Sequence, residues 1–559
     1  MVKSMRIARI VVIASVLVGF GDTAVAQSRE ENWARCLDGA VDISIPGCTA
    51  VIGSGAEDNS YLATAFELRG KAYEKLGNYD RAIWDYGQVI SLRPDYAGGY
   101  NLRGNAFHAE GEDERAVKDY DEAIRLNPEY AVAFINRGNA FHAEGKDDRA
   151  IQDYDQAIQL KTDYPLAFNN RGIAYFTKGQ FDRAIQDYDQ AIQLKADYAE
   201  AFKGRGDAYH AKGQYDRAIQ DYDQAIQLKA DYAEAFKGRG DAYHAKGQCD
   251  RAIQDYDQAI RLDPDYADAF NNRGNAKFSK GQYDRAIQDY DQAIRLNPEY
   301  ADAFNNRGNA NFAKGQYERA VQDYDQAIRL RPDYAKAFVN RGNVYRNEGQ
   351  YDRAIQGYDE AIRLKPEFPQ AFYNRGVAYS AKGQYDRAIQ DFDQAIRLKP
   401  DYATAFRSRG IAKFYLVHFV DAVADFQDSL NLNLFDTYSI LWLHLAKKNA
   451  GQNDSEGFAR QVGQFDRSEW PAPVASLFLD RLTPEQTLSA ASNPDCIKNR
   501  QQHCQAEFYI GEYLLLRKKK SMAVVHFRTA RDTCPHNFVE YDGAAAELAR
   551  LGTGAKSAK

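Results

Sequence analysis

The sequence predicts an all-α solenoid of about eleven tandem helix hairpins, and three observations lead to this fold class. The dipeptide Arg-Gly recurs eleven times, from Arg69-Gly70 to Arg409-Gly410, always at an interval of 34 residues. Within each interval, aromatic and small residues recur at the spacing of a helical face. A turn divides each interval into two helices. One hairpin cannot bury its apolar face alone, whereas stacked hairpins share a continuous core.

Each unit has an apolar stripe on both of its helices. We number positions from Ala199 as position 1 of the type unit 199–232. The stripe residues are Phe202, Gly206, Tyr209, Ala218, Tyr222 and Ala225, at positions 4, 8, 11, 20, 24 and 27. Gly206 and Ala218 are small, which predicts a close approach of the two backbones. Lys212-Gly213-Gln214 forms the predicted turn, and Asp216 is placed to cap or charge the start of the second helix.

This order of residues, with Pro264 at position 32 of the next unit, resembles the tetratricopeptide-repeat (TPR) family. The pattern runs over residues 63–436, which we number as repeats 1 to 11. The resemblance implies a right-handed α-solenoid whose first helices line a concave groove. It also implies a function in binding proteins or extended peptides.

The first 26 residues have the pattern of a secretory signal peptide. A basic segment containing Lys3 precedes an apolar run of 11 residues, Ile10 to Phe20, which is too short to span a bilayer comfortably. Ala24-Val25-Ala26 predicts cleavage before Gln27, and hence a periplasmic or secreted protein. An uncleaved anchor is the alternative. The surroundings of Cys36 do not match a lipidation site. No later segment has 18 consecutive apolar residues, so we expect no integral membrane segment after cleavage.

The cysteines predict disulfide bonds at both ends of the repeat array, as is typical of secreted chains. Residues 27–62 are expected to form a helical N-terminal cap stapled by Cys36 and Cys48. Near the C-terminus, Cys504 and Cys534 hold positions 1 and 31 of a TPR-like hairpin, which lie at the same end of a hairpin. This placement favours a Cys504–Cys534 bond over the alternative between Cys496 and Cys504.

Residues 437–559 form a C-terminal helical region with a different organisation. We expect an amphipathic helix over 436–450, an irregular segment over 451–503, one further TPR-like hairpin and a last helix over about 538–551. The region resembles the family of periplasmic scaffold lipoproteins that includes NlpI. The resemblance is carried by Leu441-Trp442-Leu443-His444-Leu445-Ala446, Phe508-Tyr509-Ile510-Gly511-Glu512-Tyr513 and His536-Asn537-Phe538-Val539-Glu540. It implies cell-envelope hydrolases and proteases as partners.

Catalytic and nucleic-acid functions find little support in the sequence. A P-loop, a GxSxG motif and an HExxH motif are all missing, so we predict a protein that is not an enzyme and uses no cofactor or metal. The net charge of −7 argues against nucleic-acid binding. His108, His142, His210 and His244 all hold position 12, one repeat apart, which is too far for one metal ion. The alternatives are an enzyme hidden in 437–559, or a cytoplasmic or membrane-anchored assembly protein.

Asparagine is frequent at the first-helix positions that line the groove in TPR proteins. These candidates for peptide binding are Asn136, Asn139, Asn169, Asn170, Asn271, Asn275, Asn305, Asn309, Asn340, Asn343 and Asn374. An Asn side chain offers a donor and an acceptor, so it can pair with any peptide backbone. The row is similar to the asparagine ladder of the O-GlcNAc transferase TPR arm, and we expect it to be exposed. The alternative is that Asn is only a tolerated solvated residue.

An ion pair is predicted inside each hairpin. All eleven repeats carry Arg at position 7, and ten carry Asp at position 23, the exception being Gly357. The two helices are antiparallel, so Arg205 should reach Asp221 with its planar fork. The alternative partner of Asp221 is Arg217, at helical i, i+4 spacing.

Overall fold

A computed structural model describes residues 28–452, 454–463, 469–535 and 538–552. The expected signal peptide and its cleavage before Gln27 lie outside the described residues. Every regular element in the described part is a helix, which confirms the all-α prediction. None of the described helices is long and apolar enough to cross a membrane. The chain divides after residue 242 into two compact units, and each is described by itself.

The first unit contains a pair of N-terminal helices, where the sequence predicts a cap, followed by the first repeats as consecutive helix pairs. Its helices are α1 (Arg29–Cys36), α2 (Val41–Gly53), α3 (Asn59–Lys75), α4 (Tyr79–Leu92), α5 (Ala97–Ala109), α6 (Asp113–Leu126), α7 (Ala131–Ala143), α8 (Asp147–Leu160), α9 (Pro165–Thr177), α10 (Phe181–Leu194), α11 (Ala199–Ala211) and α12 (Tyr215–Leu228), and α13 (Ala233–Ala245) crosses the division. Cys36 and Cys48 form a disulfide bond between α1 and α2.

The second unit continues the repeats and ends in the C-terminal helical region. Its repeat helices are α14 (Cys249–Leu262), α15 (Ala267–Ser279), α16 (Tyr283–Leu296), α17 (Ala301–Ala313), α18 (Tyr317–Leu330), α19 (Ala335–Asn347), α20 (Tyr351–Leu364), α21 (Pro369–Ala381), α22 (Tyr385–Leu398), α23 (Ala403–Tyr415) and α24 (Phe419–Leu432). The C-terminal helices are α25 (Thr437–Asn449), α26 (Ser455–Val462), α27 (Ala472–Phe478), α28 (Pro484–Ala490), α29 (Cys496–Leu516), α30 (Lys520–Thr533) and α31 (Val539–Arg550).

The local chemistry of the repeat explains its two helices. Gly213, the middle residue of the turn, has a φ of +71°, a left-handed conformation that glycine adopts without a Cβ penalty. Gly206 lies against Tyr222, since a Cβ on Gly206 would stand 2.9 Å from the ring. Asp216 lies in the first turn of α12, where a negative charge is favourable, and no side chain caps that helix. Of the two roles expected for Asp216, the structure favours charge placement.

The C-terminal region differs from two expectations. Residues 451–503 are not irregular throughout, because α26, α27 and α28 lie there. The helix α25 is not amphipathic: residues 439–446 are all buried, and Trp442 is packed among aromatic rings of neighbouring helices. The expectation failed because helices on both sides of α25 cover it, which a single helix pattern does not reveal.

The further TPR-like hairpin is formed by α29 and α30, with Gly511 against the ring of Phe527. A disulfide bond joins Cys504 to Cys534, while Cys249 and Cys496 are free thiols. The last helix, α31, packs against α29 and α30 and also reaches α21 in repeat 10.

Candidate functional site

The predicted ion pair is present in the hairpins of repeats 1 to 5, 7, 8, 10 and 11. In the type unit, Arg205 Nε lies 2.8 Å from Asp221 Oδ2, and Arg205 Nη2 lies 2.6 Å from Asp221 Oδ1. The same two-point contact between positions 7 and 23 occurs in the pairs Arg69–Asp85, Arg103–Asp119, Arg137–Asp153, Arg171–Asp187, Arg273–Asp289, Arg307–Asp323, Arg375–Asp391 and Arg409–Asp425. Asp221 is therefore paired across the hairpin, as the sequence predicted.

Most of these arginines also contact the preceding repeat, as do Arg239 and Arg341, and sequence reasoning missed this contact. Arg205 Nη1 donates to Asp189, which holds position 25 of repeat 4, at 2.5 Å. Equivalent contacts join Arg137 to Asp121, Arg171 to Asp155, Arg239 to Asp223, Arg273 to Asp257, Arg307 to Asp291, Arg341 to Asp325, Arg375 to Asp359 and Arg409 to Asp393. One guanidinium thus holds its own hairpin together and ties it to its neighbour.

A second internal network starts from the buried tyrosine at position 24. Tyr324 donates its hydroxyl to Asn309 Oδ1 at 2.8 Å, and Tyr290 donates to Asn275 Oδ1 at 2.9 Å. Tyr154 makes the same bond to Asn139. The position-9 asparagines therefore anchor a core hydroxyl, a structural role that the sequence analysis did not foresee.

The asparagines at position 6 connect one repeat to the previous one. Asn340 Nδ2 donates to Asn305 Oδ1 at 2.9 Å and to Asn309 Oδ1 at 3.1 Å. Further bonds of this kind join Asn136 to Asn101 and Asn105, Asn170 to Asn139, Asn306 to Asn271, and Asn374 to Asn343. The ladder is a chain of amides that bind one another.

The expectation that these asparagines are exposed is wrong. Asn271 and Asn305 are buried, with 4% and 5% of their surface accessible, and Asn374 is 9% accessible. Asn275 and Asn309 are half-buried. The physical reason is that stacked first helices bring the amides of neighbouring repeats within hydrogen-bond distance, so that they shield one another.

In some of these asparagines, either the amide NH2 group or the amide oxygen makes no hydrogen bond with a described residue. Asn309 uses its carbonyl oxygen twice, for Tyr324 and Asn340, whereas its Nδ2 has no hydrogen-bond partner among the described residues. Asn340 shows the reverse pattern: Nδ2 donates twice, and no described side chain or backbone group pairs with its Oδ1. Asn309 at position 9 therefore presents a donor and Asn340 at position 6 an acceptor, the two groups that a peptide backbone requires. In the preceding repeat the Oδ1 of Asn306, also at position 6, already accepts from Asn305 Nδ2.

These amides line an open cleft of about 680 Å³ in the second unit, here called the asparagine cleft. Lys336, Gln370 and Asp302, which hold position 2 of their repeats, stand at its edge. The ring of Tyr334 also faces it, and its hydroxyl donates to Asp302 at 2.5 Å. The full lining is Asn271, Asn275, Tyr300, Asp302, Asn305, Asn306, Asn309, Tyr334, Lys336, Val339, Asn340, Asn343, Phe368, Gln370 and Asn374.

In the first unit, Asn136, Asn139 and Asn170 repeat the same contacts, but the ladder stops in repeat 5. There Gly204 takes position 6 and Asp207 takes position 9, where it accepts from Tyr222 at 2.8 Å. Lys203 pairs with Asp207 at 2.7 Å. The fold therefore accepts Asp in place of Asn at position 9.

Two of the position-12 histidines make local contacts, whereas His244 Nε2 lies 3.3 Å from Ser279 Oγ in the next repeat. His142 Nδ1 lies 2.6 Å from Asp147, five residues along the chain, and His108 contacts Asp113 in the same way. Within the described ranges, no group of three or more His, Cys, Asp or Glu side chains is arranged to hold a metal ion.

Comparisons with known proteins agree with this architecture. A family model described as TPR repeat matches nine overlapping segments from residue 70 to residue 383, and a second model, Tetratricopeptide repeat, matches 369–402. The chain belongs to the TPR family.

Solved structures similar to this chain include yeast Tom70, a TPR protein from Parabacteroides merdae, and MamA. Tom70 is 15% identical, with a TM-score of 0.40, over 73% of this chain and 100% of its own. The Parabacteroides protein is 21% identical, with a TM-score of 0.38, over 44% of this chain and 98% of its own. MamA is 31% identical, with a TM-score of 0.27, over 30% of this chain and 96% of its own.

Proposed function

We propose that this protein is a periplasmic scaffold, not an enzyme, that binds extended segments of other polypeptides in the asparagine cleft. The observation that carries the proposal is the arrangement of free amide groups. The Nδ2 donors of Asn275, Asn309 and Asn343 at position 9 and the Oδ1 acceptor of Asn340 at position 6 border the same cleft. A main chain in extended conformation offers the complementary groups at regular intervals, whatever its side chains are.

Several features support the periplasmic part of the proposal. The Cys36–Cys48 and Cys504–Cys534 bonds are typical of an oxidising compartment. The N-terminal pattern of a signal peptide points the same way. The resemblance of residues 437–559 to the family of NlpI favours envelope hydrolases and proteases as the bound polypeptides.

Site-specific photocrosslinking tests the cleft directly. A photoreactive amino acid replaces Gln370, which is exposed and lines the cleft, or Gln322, which is exposed on α18 outside the cleft. Both proteins are expressed in the native host, irradiated, and analysed by mass spectrometry. We expect polypeptide adducts with the label at Gln370 and not with the label at Gln322. Equal adducts at both positions, or none at Gln370, would overturn the proposal.

A further inference from the structure

The last helix of the chain covers the continuation of the groove wall. In repeats 10 and 11, Val377, Ser408 and Ile411 hold positions 9, 6 and 9, the positions that carry the cleft asparagines in repeats 7 to 9. These side chains border a cavity of about 50 Å³ that is closed by Val539 and Asp542 of α31. The wall that is open in the asparagine cleft is therefore occupied by α31 in repeats 10 and 11.

The seat of α31 is formed by small residues and apolar rings. Gly543 lies directly against the hydroxyl of Tyr415, and a Cβ on Gly543 would also stand 2.8 Å from the ring of Phe508. Ala544 and Leu548 are buried in the C-terminal core. A helix can approach this closely only because Gly543 has no side chain.

The same seat leaves polar groups without partners. The hydroxyl of Tyr415 and Oε1 of Glu512 are buried and make no hydrogen bond with any described residue. Glu547 of α31 is 1% accessible, as is Glu512 on α29, so two carboxyl groups are buried at this contact. Buried polar groups without partners cost stability, so the docked position of α31 is held less firmly than its apolar contacts alone would allow.

We propose that α31 is a displaceable occupant of the binding groove, which a partner polypeptide must release before it can extend from the asparagine cleft across repeats 10 and 11. The proposal rests on the proposed function for its biological meaning, since the partner is the polypeptide bound in the cleft. The structural change itself does not depend on the partner: α31 leaves its docked position while α29 and α30 stay folded.

Hydrogen exchange of the full-length mature protein tests this separation. We expect the amides of α31 to exchange at least about tenfold faster than those of α29 and α30, because they open locally. Equal exchange rates for the three helices would show that α31 opens only by unfolding of the whole region, and would overturn the proposal.

A variant and its control provide the second test. Gly543→Leu should force α31 from its seat, whereas Ala545→Leu adds the same side chain on the exposed face of the helix. The probe is a fluorescent peptide of residues 538–552. We expect it to bind Gly543→Leu, whose seat is vacant, and to bind neither the wild type nor Ala545→Leu. If Gly543→Leu retains exchange protection in α31, or fails to bind the peptide, the proposal is wrong, while the photocrosslinking result at Gln370 still decides the proposed function.

Discussion

The Nε atom of Arg341 is buried without a hydrogen-bond partner among the described residues, because Gly357 stands where the other ten repeats carry an aspartate. The second contact of this arginine is intact, since Nη1 donates to Asp325 in the preceding repeat. Repeat 9 therefore lacks the ion pair within its hairpin but keeps the ion pair to the preceding hairpin. The effect of each contact can be measured separately in this repeat.

Restoring the missing carboxylate should stabilise repeat 9. We expect the free energy of local unfolding to be about 1 kcal/mol higher for Gly357→Asp than for Gly357→Ala, because only the aspartate can pair with Arg341 Nε. The alanine variant controls for removing a glycine from a helix interior. Native-state hydrogen exchange of α19 and α20 gives the measurement. A Gly357→Asp variant no more stable than Gly357→Ala would contradict this reading of the network.

The two aspartates that flank Tyr222 should differ in importance. Burial raises the pKa of Asp221 more than the hydrogen bonds from Arg205 lower it, so the pair itself adds little net stability. Removing Asp221, however, leaves the largely buried Arg205 with Asp189 alone, and Asp221→Asn should cost about 3 kcal/mol. The side chain of Asp223 is 48% exposed in its pair with Arg239. The change Asp223→Asn should therefore lower the free energy of unfolding by less than about 1 kcal/mol. Urea unfolding of both variants measures the two losses in the free energy of unfolding. Losses of similar size would contradict the expected difference between Asp221 and Asp223.

The cleft asparagines can be altered in two ways that separate binding from stability. The pair Asn275→Asp and Asn309→Asp keeps an acceptor for Tyr290 and Tyr324, as Asp207 does for Tyr222, but removes the free donor. We expect a partner identified by crosslinking to bind about tenfold more weakly, a loss of about 1.4 kcal/mol, with melting nearly unchanged. Alanine at both positions should also lower stability, by about 1 kcal/mol per site, because a core hydroxyl loses its acceptor. Unchanged affinity in the aspartate variant would count against the cleft.

The cysteines give a test of compartment and of the N-terminal cap. The mature protein should begin at Gln27 and, denatured without reductant, should react with a thiol reagent at Cys249 and Cys496 alone. Replacing Cys36 and Cys48 by Ser should cost about 3 kcal/mol in the local stability of α1 and α2. Cys249→Ser is the matched control. Peptide mapping that finds free thiols at Cys36 and Cys48 would exclude an oxidising compartment.

The docking of α31 should depend on pH through its buried carboxyl groups. Burial raises the pKa of Glu540 to about 7, and it raises the pKa of Glu512 as well. A raised acid pKa favours the docked helix below about pH 4.5, and this contribution is lost as the pH rises through about 7. The charged or titratable groups around these carboxyls are Arg346, Tyr385, Arg407, Tyr415, Tyr438, Tyr509, Asp542, Glu547 and Arg550.

Hydrogen exchange at pH 5 and pH 8, corrected for intrinsic rates, measures this dependence. Protection of α31 should fall at the higher pH, and Glu540→Gln should reduce the fall because the amide keeps its place beside Gln505 without titrating. Protection that is equal at both pH values would argue against neutral carboxyl groups at this contact.

The amino-acid sequence by itself determined the repeat. A period of 34 residues, the helical spacing of Phe202, Gly206 and Tyr209, and the turn at Gly213 are local properties that specify a hairpin. The pair Arg205–Asp221 was also predictable, because both residues belong to one hairpin whose antiparallel geometry follows from its short turn. The contact between Arg205 and Asp189 of the preceding repeat could also have been found, because the motif Asp-Tyr-Asp recurs in the repeats and places a second aspartate at position 25.

Only the tertiary structure decided what happens between repeats and at the C-terminal end. The contact of Arg205 with Asp189, the hydrogen bond from Asn340 Nδ2 to Asn309 Oδ1, and the burial of Asn305 depend on how far one hairpin is shifted against the next. The sequence pattern of a single repeat carries no information on that shift, because packing of whole helix faces sets it. The position of α31 has the same origin: a short helix can bury its apolar face on many surfaces, and the fit of Gly543 against Tyr415 selects one of them.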